Sequence, residues 1–159
     1  MTEYGVTLGQ AIPPFRGATA GGLFIDADTY AGRWWVLYFY PRDNTPGCTT
    51  EARDFERLLP EFTACGAAVV GVSTDSLASH EAFCRKQGLS FPLIADTDQS
   101  VSRAFDVIRM KQMYGKAFEG IERSTFLIDP AGMIRHIWRK VKVPGHAEAV
   151  LAELAARMD

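Results

Sequence analysis

Short, continuously apolar runs alternate along the chain with segments of helical periodicity. Residues 34–40 read WWVLYFY and residues 67–73 read AAVVGVS. Runs of this length that are rich in β-formers predict strands buried on both faces, the usual state of central parallel strands. Between the two runs, one apolar helical face is formed by Cys48, Ala52, Phe55, Leu59 and Phe62. The succession predicts a strand–helix–strand unit in which Gly66 ends the helix.

The remaining elements are predicted from caps, turns and periodicity. They are a helix that starts near residues 74–76 and stops at Gly88, an edge-like strand in 91–96, a helix over 99–105, an antiparallel pair formed by 124–129 and 133–141, and a last helix whose stripe runs from Ala147 to Met158. The first thirty residues, rich in Gly, Thr and Ala, predict short strands and turns. We expect one α/β domain over residues 1–159, with a mixed central sheet flanked by helices and an N-terminal β extension.

Composition and charge narrow the class of protein. Of the 159 residues, 47% are apolar and 23% charged, and the net charge is −2. A near-neutral chain lacks the electrostatic footprint for nucleic acid or an anionic membrane, so neither is expected as a partner. No apolar run is long enough to span a bilayer, and residues 1–10 do not resemble a secretory signal. The three cysteines are too few for a disulfide scaffold, which favours a cytoplasmic protein with reduced thiols.

Candidate chemistry lies in the loop that follows the first apolar run. Residues 41–48 read PRDNTPGC, a turn-forming loop that delivers Cys48 to the start of the predicted helix. Unpaired backbone N–H groups and the positive end of the helix dipole favour a thiolate at this position. Pro46 suits the first helical turn, and Gly47 would let a substrate approach the backbone. The alternative is a small, inert core cysteine.

The same loop matches the P-x-x-x-T-x-x-C signature of peroxiredoxins. The longer string over residues 39–52 resembles the bacterioferritin-comigratory, or peroxiredoxin Q, group, and similar strings recur at 72–76, 91–93, 113–116 and 120–129. The resemblance implies a thioredoxin-like fold and a thiol-dependent peroxidase for hydrogen peroxide and organic hydroperoxides. It implies no cofactor.

Roles for individual residues are carried by that resemblance. Cys48 would attack the peroxide, Arg123 would favour the thiolate and hold the substrate, and Pro41 would shield the sulfur from water. Thr45 lies one turn before Cys48, so its hydroxyl could reach the sulfur or the substrate. Glu51 could orient an arginine or lie on a solvated face, and the sequence favours neither.

A second thiol would have to resolve the sulfenic acid of Cys48. Many members of the group place it five positions later, where this chain has Arg53. Cys65 lies at the far end of the same helix and is predicted to be a packed small hydrophobe. Cys84 lies on the second helix beside Arg85, and this segment resembles members that resolve from that helix. We expect an intramolecular Cys48–Cys84 disulfide; the alternative for Cys84 is a core residue.

Other functions are compatible with parts of the pattern. His80 and Cys84 share a helix face, but no further ligand follows at metal-site spacing, so no metal is predicted. A redox sensor or chaperone-like binding protein on the same fold would use Cys48 without needing donors arranged for turnover. The set of Thr45, Cys48 and Arg123 favours a peroxidase. We expect this peroxidase to be recycled by thioredoxin or a similar dithiol and to act as a monomer.

Overall fold

The computed structural model describes residues 5–158. The strands are β1 (Arg16–Ala18), β2 (Phe24–Asp26), β3 (Trp35–Phe39), β4 (Ala68–Ser73), β5 (Leu93–Ala95), β6 (Ile108–Met113), β7 (Lys116–Ile121), β8 (Ser124–Ile128) and β9 (Ile134–Trp138). The helices are α1 (Pro46–Ala64), α2 (Leu77–Gln87), α3 (Ser100–Ala104) and α4 (His146–Ala156), with a 3-10 turn at Ala20–Gly22. Among the described residues, no helix combines the length and apolar character that a membrane span requires.

A mixed sheet in the order β2-β1-β5-β4-β3-β8-β9 forms the centre of the fold. Strand β3 pairs in parallel with β4 and antiparallel with β8, so the strand that leads to Cys48 lies inside the sheet. This arrangement confirms the predicted α/β fold with a mixed sheet and an N-terminal β extension, since β1 and β2 extend one side of it.

The β3 strand supplies both layers of the core, as its continuous apolar run predicted. Val36, Tyr38 and Tyr40 face a cluster that includes residues of α1 and α4, whereas Leu37 and Phe39 face the opposite cluster beside α3. All five side chains are buried. The end of β3 is therefore fixed from both sides, and the loop after it starts from a rigid point.

The structure differs from the sequence-based expectations at two places, β5 and the β6–β7 hairpin. Strand β5, which was expected to be edge-like, lies inside the sheet, because β4 pairs with one of its edges and β1 pairs with the other. The hairpin of β6 and β7 was not predicted at all; it turns at Tyr114 and Gly115, both at positive φ. Its strands mix polar and apolar residues and are largely exposed, so they carry little of the two-residue alternation that marks a half-buried strand.

Candidate active site

Strand β3 and helix α1 together place Cys48. Thr45 is the N-cap of α1, Pro46 occupies the first turn as predicted, and Cys48 is the third residue of the helix. Its side chain is 1% exposed and belongs to the core cluster on the α1 side of the sheet. The sulfur therefore lies at the helix terminus where free backbone N–H groups and the dipole favour negative charge.

Arg123 immediately precedes β8, and its side chain reaches the sulfur of Cys48. Its Nη2 lies 3.4 Å from the Sγ of Cys48, and its Nη1 donates to Oε1 of Glu51 at 2.6 Å. A Cβ on Gly47 would lie only 3.3 Å from the same Nη2. Gly47 thus leaves room for the guanidinium against the first turn of α1, a role different from the substrate access predicted for it.

Glu51 orients Arg123, which decides between its two predicted roles. The carboxyl group is 1% exposed, and its second oxygen, Oε2, has no hydrogen-bond partner among the described residues. Burial raises the pKa of Glu51 to about 7, even though Arg123 opposes the shift. Burial alone would lower the pKa of Arg123, but Glu51 and Cys48 outweigh it and raise that pKa. The guanidinium is therefore a permanent cation clamped between a carboxyl group and a thiol.

Thr45 and Pro41 lie on the open side of the site. The Thr45 hydroxyl donates to the backbone oxygen of Arg42 at 2.9 Å, so its hydrogen is directed away from Cys48 and its oxygen is left to accept. Pro41 is half-buried. Together they line a pocket of about 380 Å³ whose far wall is the β6–β7 hairpin, with Lys111, Met113, Phe118 and Ile121.

Lys111 is a residue of this region that the sequence interpretation missed. Its side chain runs past Gly120, where a Cβ would lie 3.3 Å from its Cδ. Burial and the nearby charge of Arg123 lower its pKa, while Cys48 and Glu122 oppose the shift. Lys111 therefore brings a second cation within electrostatic reach of the thiol. Recognising it from sequence would have required recognising the hairpin first.

Cys84 has surroundings unlike those of Cys48. It is the eighth residue of α2, is half-buried, and packs against the core cluster that contains Cys48. Burial and the carboxylates of Asp43 and Glu56 raise its pKa, so the neighbouring basic residues do not activate it. Cys65 is the C-cap residue of α1 and packs against the same cluster, as predicted. All three thiols are free.

A buried polar cluster lies between the Cys48 loop and α2. The side chains of Asp43, Asp75 and His80 bring three possible metal ligands within 4.8 Å of one another. The atoms that could ligate a metal already make hydrogen bonds within the protein. Asp43 accepts from Tyr40, Ser79 and His80, and Asp75 accepts from Ser73. The cluster therefore fits a hydrogen-bond network better than a metal site. Cys84, which shares a helix face with His80, is not one of these three residues.

Comparison with known proteins identifies the family. The AhpC/TSA family model matches residues 8–137. The chain belongs to the AhpC/TSA family. Peroxiredoxin Bcp of Xanthomonas campestris is 58% identical over 137 residues, which is 86% of each chain, and peroxiredoxin Bcp of Bacillus subtilis is 43% identical over 149 residues, 94% of this chain and 95% of that one. Like these relatives, this AhpC/TSA protein is a peroxiredoxin, an oxidoreductase that reduces peroxides with a thiol.

Solved structures of the family show the same fold. The C84S mutant of Xanthomonas campestris peroxiredoxin Q superposes with a TM-score of 0.88 at 52% identity, covering 94% of this chain and 99% of that one. The bacterioferritin comigratory protein of the same organism, studied for alkyl peroxide reduction, gives 0.87 at 52% identity and covers 97% and 98%. The predicted thioredoxin-like peroxiredoxin fold is thereby confirmed.

Proposed function

We propose that Cys48 is the peroxide-reacting thiol, that Cys84 resolves it as an intramolecular disulfide, and that thioredoxin or a similar dithiol recycles the monomeric enzyme. One observation carries the first assignment: the Nη2 of Arg123 lies 3.4 Å from the Sγ of Cys48 at the start of α1. A buried thiol with a fixed cation and a helix terminus has the surroundings that favour its thiolate.

The first step joins Cys48 to one peroxide oxygen. The thiolate attacks that oxygen, an S–O bond forms, and the O–O bond breaks. The other oxygen leaves as hydroxide or alkoxide, takes a proton, and becomes water or an alcohol. Arg123 can donate to the peroxide as charge builds on the leaving oxygen, and the free oxygen lone pairs of Thr45 can accept the peroxide's hydrogen. Pro41 borders the pocket and limits the access of water.

The pocket supports organic hydroperoxides as well as hydrogen peroxide. Its volume of about 380 Å³ exceeds what hydrogen peroxide requires, and the side chains of Met113, Phe118 and Ile121 make part of its wall apolar. Alkyl peroxide reduction has been studied in the Xanthomonas campestris bacterioferritin comigratory protein. Neither Cys48 nor Arg123 lines this pocket, so an alkyl chain attached to the leaving oxygen would reach its apolar wall past Thr45.

The second step removes the sulfenic acid. The sulfur of Cys84 attacks the sulfur of Cys48, an S–S bond forms, the S–O bond breaks, and water leaves. In Xanthomonas campestris peroxiredoxin Q, cysteines numbered 48 and 84 have each been replaced by serine in solved structures. A dithiol reductant then restores both thiols.

Peptide mapping under non-reducing conditions tests the proposal. The reduced protein is treated with one equivalent of hydrogen peroxide and alkylated. We expect the intact oxidised protein to keep the mass of a monomer and its digest to contain a peptide that links Cys48 to Cys84. A Cys65→Ser variant is the matched control, since Cys65 is also half-buried in the same cluster and should not change the product. A Cys48–Cys65 peptide or a Cys48–Cys48 dimer would contradict the assignment of Cys84.

A further inference from the structure

The cluster between the Cys48 loop and α2 contains a buried ion pair that the reaction as described does not use. The Nδ1 of His80 lies 2.7 Å from Oδ2 of Asp43, and both side chains are 1% exposed. Asp43 lies five residues before Cys48, in the loop that leads to α1, whereas His80 lies on α2, one turn before Cys84. One contact therefore joins the two segments that carry the two thiols.

The hydrogen-bond geometry shows that this contact is fully used on both sides. The Nε2 of His80 lies 2.9 Å from the backbone oxygen of Ile94, which can only accept. Burial would raise the pKa of Asp43, but hydrogen bonds from His80, Tyr40 and Ser79 outweigh it and lower that pKa. The Asp43 carboxylate and the Ile94 carbonyl therefore occupy the two ring nitrogens of His80.

The same cluster fixes each partner to its own surroundings. Tyr40, at the end of the buried β3 run, donates its hydroxyl to Oδ1 of Asp43 at 2.6 Å. The backbone N–H of Asp43 donates to Asp75 at 2.8 Å, after β4, and Ser79 of α2 donates to Oδ2 of Asp43 at 2.8 Å. The loop before Cys48 and the first turn of α2 are therefore held to the sheet and to each other.

Disulfide formation requires this arrangement to open. Cys48 and Cys84 are both helical residues with different neighbours: Cys48 lies against Arg123, whereas Cys84 borders a pocket with Leu23 and Phe91. A disulfide brings its two Cα atoms within ~7 Å, so one or both thiols have to leave these surroundings. Cys84 follows His80 by four residues and shares its helix face. If Cys84 leaves α2 for Cys48, the turn that contains His80 has to loosen, and the bonds from His80 to Asp43 and Ile94 break with it.

We infer that the buried Asp43–His80 pair is a positioning contact that holds the Cys48 loop and α2 in the arrangement for peroxide attack, and that its opening precedes disulfide formation. The inference rests on the proposed role of Cys84. Neither residue touches the peroxide or either sulfur. Their effect is on timing: the pair keeps the site closed for the first step and delays the second.

Substitutions of the two partners test the inference. His80→Gln and Asp43→Asn keep the approximate size of each side chain and remove the ion pair. Ser79→Ala is a milder variant that deletes one hydrogen bond onto Asp43 and leaves the pair. Asp96→Asn is the matched control, because Asp96 is also a buried carboxylate, accepting from the backbone of Val101 and Ser102, but it joins no segment that carries a thiol.

The readout separates the two chemical steps. Stopped-flow tryptophan fluorescence and acid-quenched intact mass give the peroxide step, whose rate rises with peroxide, and the disulfide step, whose rate does not. We expect the disulfide step to be about tenfold faster in His80→Gln and Asp43→Asn, the factor that the loss of one hydrogen bond to a charged group produces. Ser79→Ala should be intermediate, and Asp96→Asn should match the wild type. The over-oxidised fraction of Cys48 at a fixed peroxide concentration should fall in the same order.

Two results would overturn the inference, and they have different meanings. If the wild type forms the Cys48–Cys84 disulfide but His80→Gln, Asp43→Asn and Ser79→Ala form it no faster than Asp96→Asn, the positioning role is wrong and the proposed function stands. If the wild type forms no such disulfide, both fail together. Loss of thermal stability without a change in the split between the two steps would also reject the positioning role, because a merely structural pair would behave in that way.

Discussion

The surroundings of Cys48 and Cys84 differ although both thiols pack into the same apolar cluster. Cys48 lies at the start of a nineteen-residue helix, with the Nη2 of Arg123 3.4 Å from its sulfur. Cys84 lies near the end of an eleven-residue helix, and burial together with Asp43 and Glu56 raises its pKa. The comparison shows that two thiols of one apolar cluster differ in their position on a helix and in the sign of the charge beside them. This difference is the basis for proposing Cys48 as the reacting thiol and Cys84 as the resolving, or waiting, one.

Replacing the reacting thiol should have the largest effect. Cys48→Ser should abolish peroxide consumption, since no other thiol in the described structure lies beside Arg123. The measurement is loss of hydrogen peroxide in the presence of a thiol reductant. Retained turnover in this variant would show that Cys48 is not the thiol that attacks peroxide.

Replacing the waiting thiol should spare the first step and stop the cycle. Cys84→Ser should consume one equivalent of peroxide at the wild-type rate, because Thr45, Cys48 and Arg123 are unchanged. It should then stall as a sulfenic acid and over-oxidise readily, which intact mass detects. Turnover with thioredoxin should collapse, whereas the Cys65→Ser control should turn over normally. Full turnover by Cys84→Ser would return Cys84 to a packing role.

Changing the cation beside Cys48 sharpens the comparison further. Arg123→Lys keeps the charge but loses the planar fork that contacts Cys48 and Glu51 at once. We expect the peroxide step to slow by at least ~10²-fold, as when an oxyanion donor is removed. Stopped-flow kinetics with a Lys substitution of the exposed Arg103 as control would show whether the loss is specific. Near wild-type kinetics in Arg123→Lys would remove Arg123 from the site.

The buried charge on the Cys48 side should also be visible in stability. The pKa of Glu51 is raised from its ordinary 4.5 to about 7 by burial. A carboxyl group whose pKa is higher in the folded state stabilises the fold fully below pH 4.5 and loses that contribution as the pH rises through 7. Relative to Glu51→Gln, the wild type should lose roughly 2–3 kcal/mol across this window, measured by urea unfolding. A flat difference would show that Arg123 keeps the carboxyl group ionised throughout.

His146 provides an effect of opposite sign in the same region. Its Nε2 lies 2.8 Å from the hydroxyl of Thr125, and burial together with Arg123 lowers its pKa from 6.5 to about 4. The stabilising contribution is present above pH 6.5 and disappears as the pH falls through 4, because the unfolded chain binds the proton first. Relative to His146→Asn, the wild type should therefore gain stability between pH 4 and 6.5, and a difference that falls with pH would contradict this.

Local sequence signals predicted well that Cys48 lies at the start of a helix that follows a buried strand. The buried strand, the turn-forming loop and the helical stripe that begins at Cys48 are contiguous, so each supports the next within thirty residues. The caps of α2 at Ser76 and Gly88 were equally local and were confirmed. The resolving role of Cys84 stays a prediction, since it concerns a conformation other than the one described.

Long-range partners could not be predicted from local sequence patterns, and the Arg123–Cys48 contact was expected only from the resemblance to peroxiredoxins. Glu51 and Arg123 are 72 residues apart, and Asp43 and His80 are 37 apart, so no periodic pattern connects either pair. The β6–β7 hairpin was missed because its largely exposed strands carry little regular alternation of polar and apolar residues, and Lys111 was missed with it. In each case tertiary folding brings together residues whose local sequences give no indication of the contact.

The position of Cys84 inside a helix, α2, has an electrochemical consequence. In the dithiol form α2 keeps its helical hydrogen bonds, the buried ring of Phe83 and the Asp43–His80 pair, whereas a disulfide to Cys48 would forfeit part of each. Stabilisation of the reduced form raises the reduction potential of a thiol pair. Reduction of the proposed Cys48–Cys84 disulfide would therefore be driven by refolding of α2, and a donor dithiol would pass on its electrons energetically downhill.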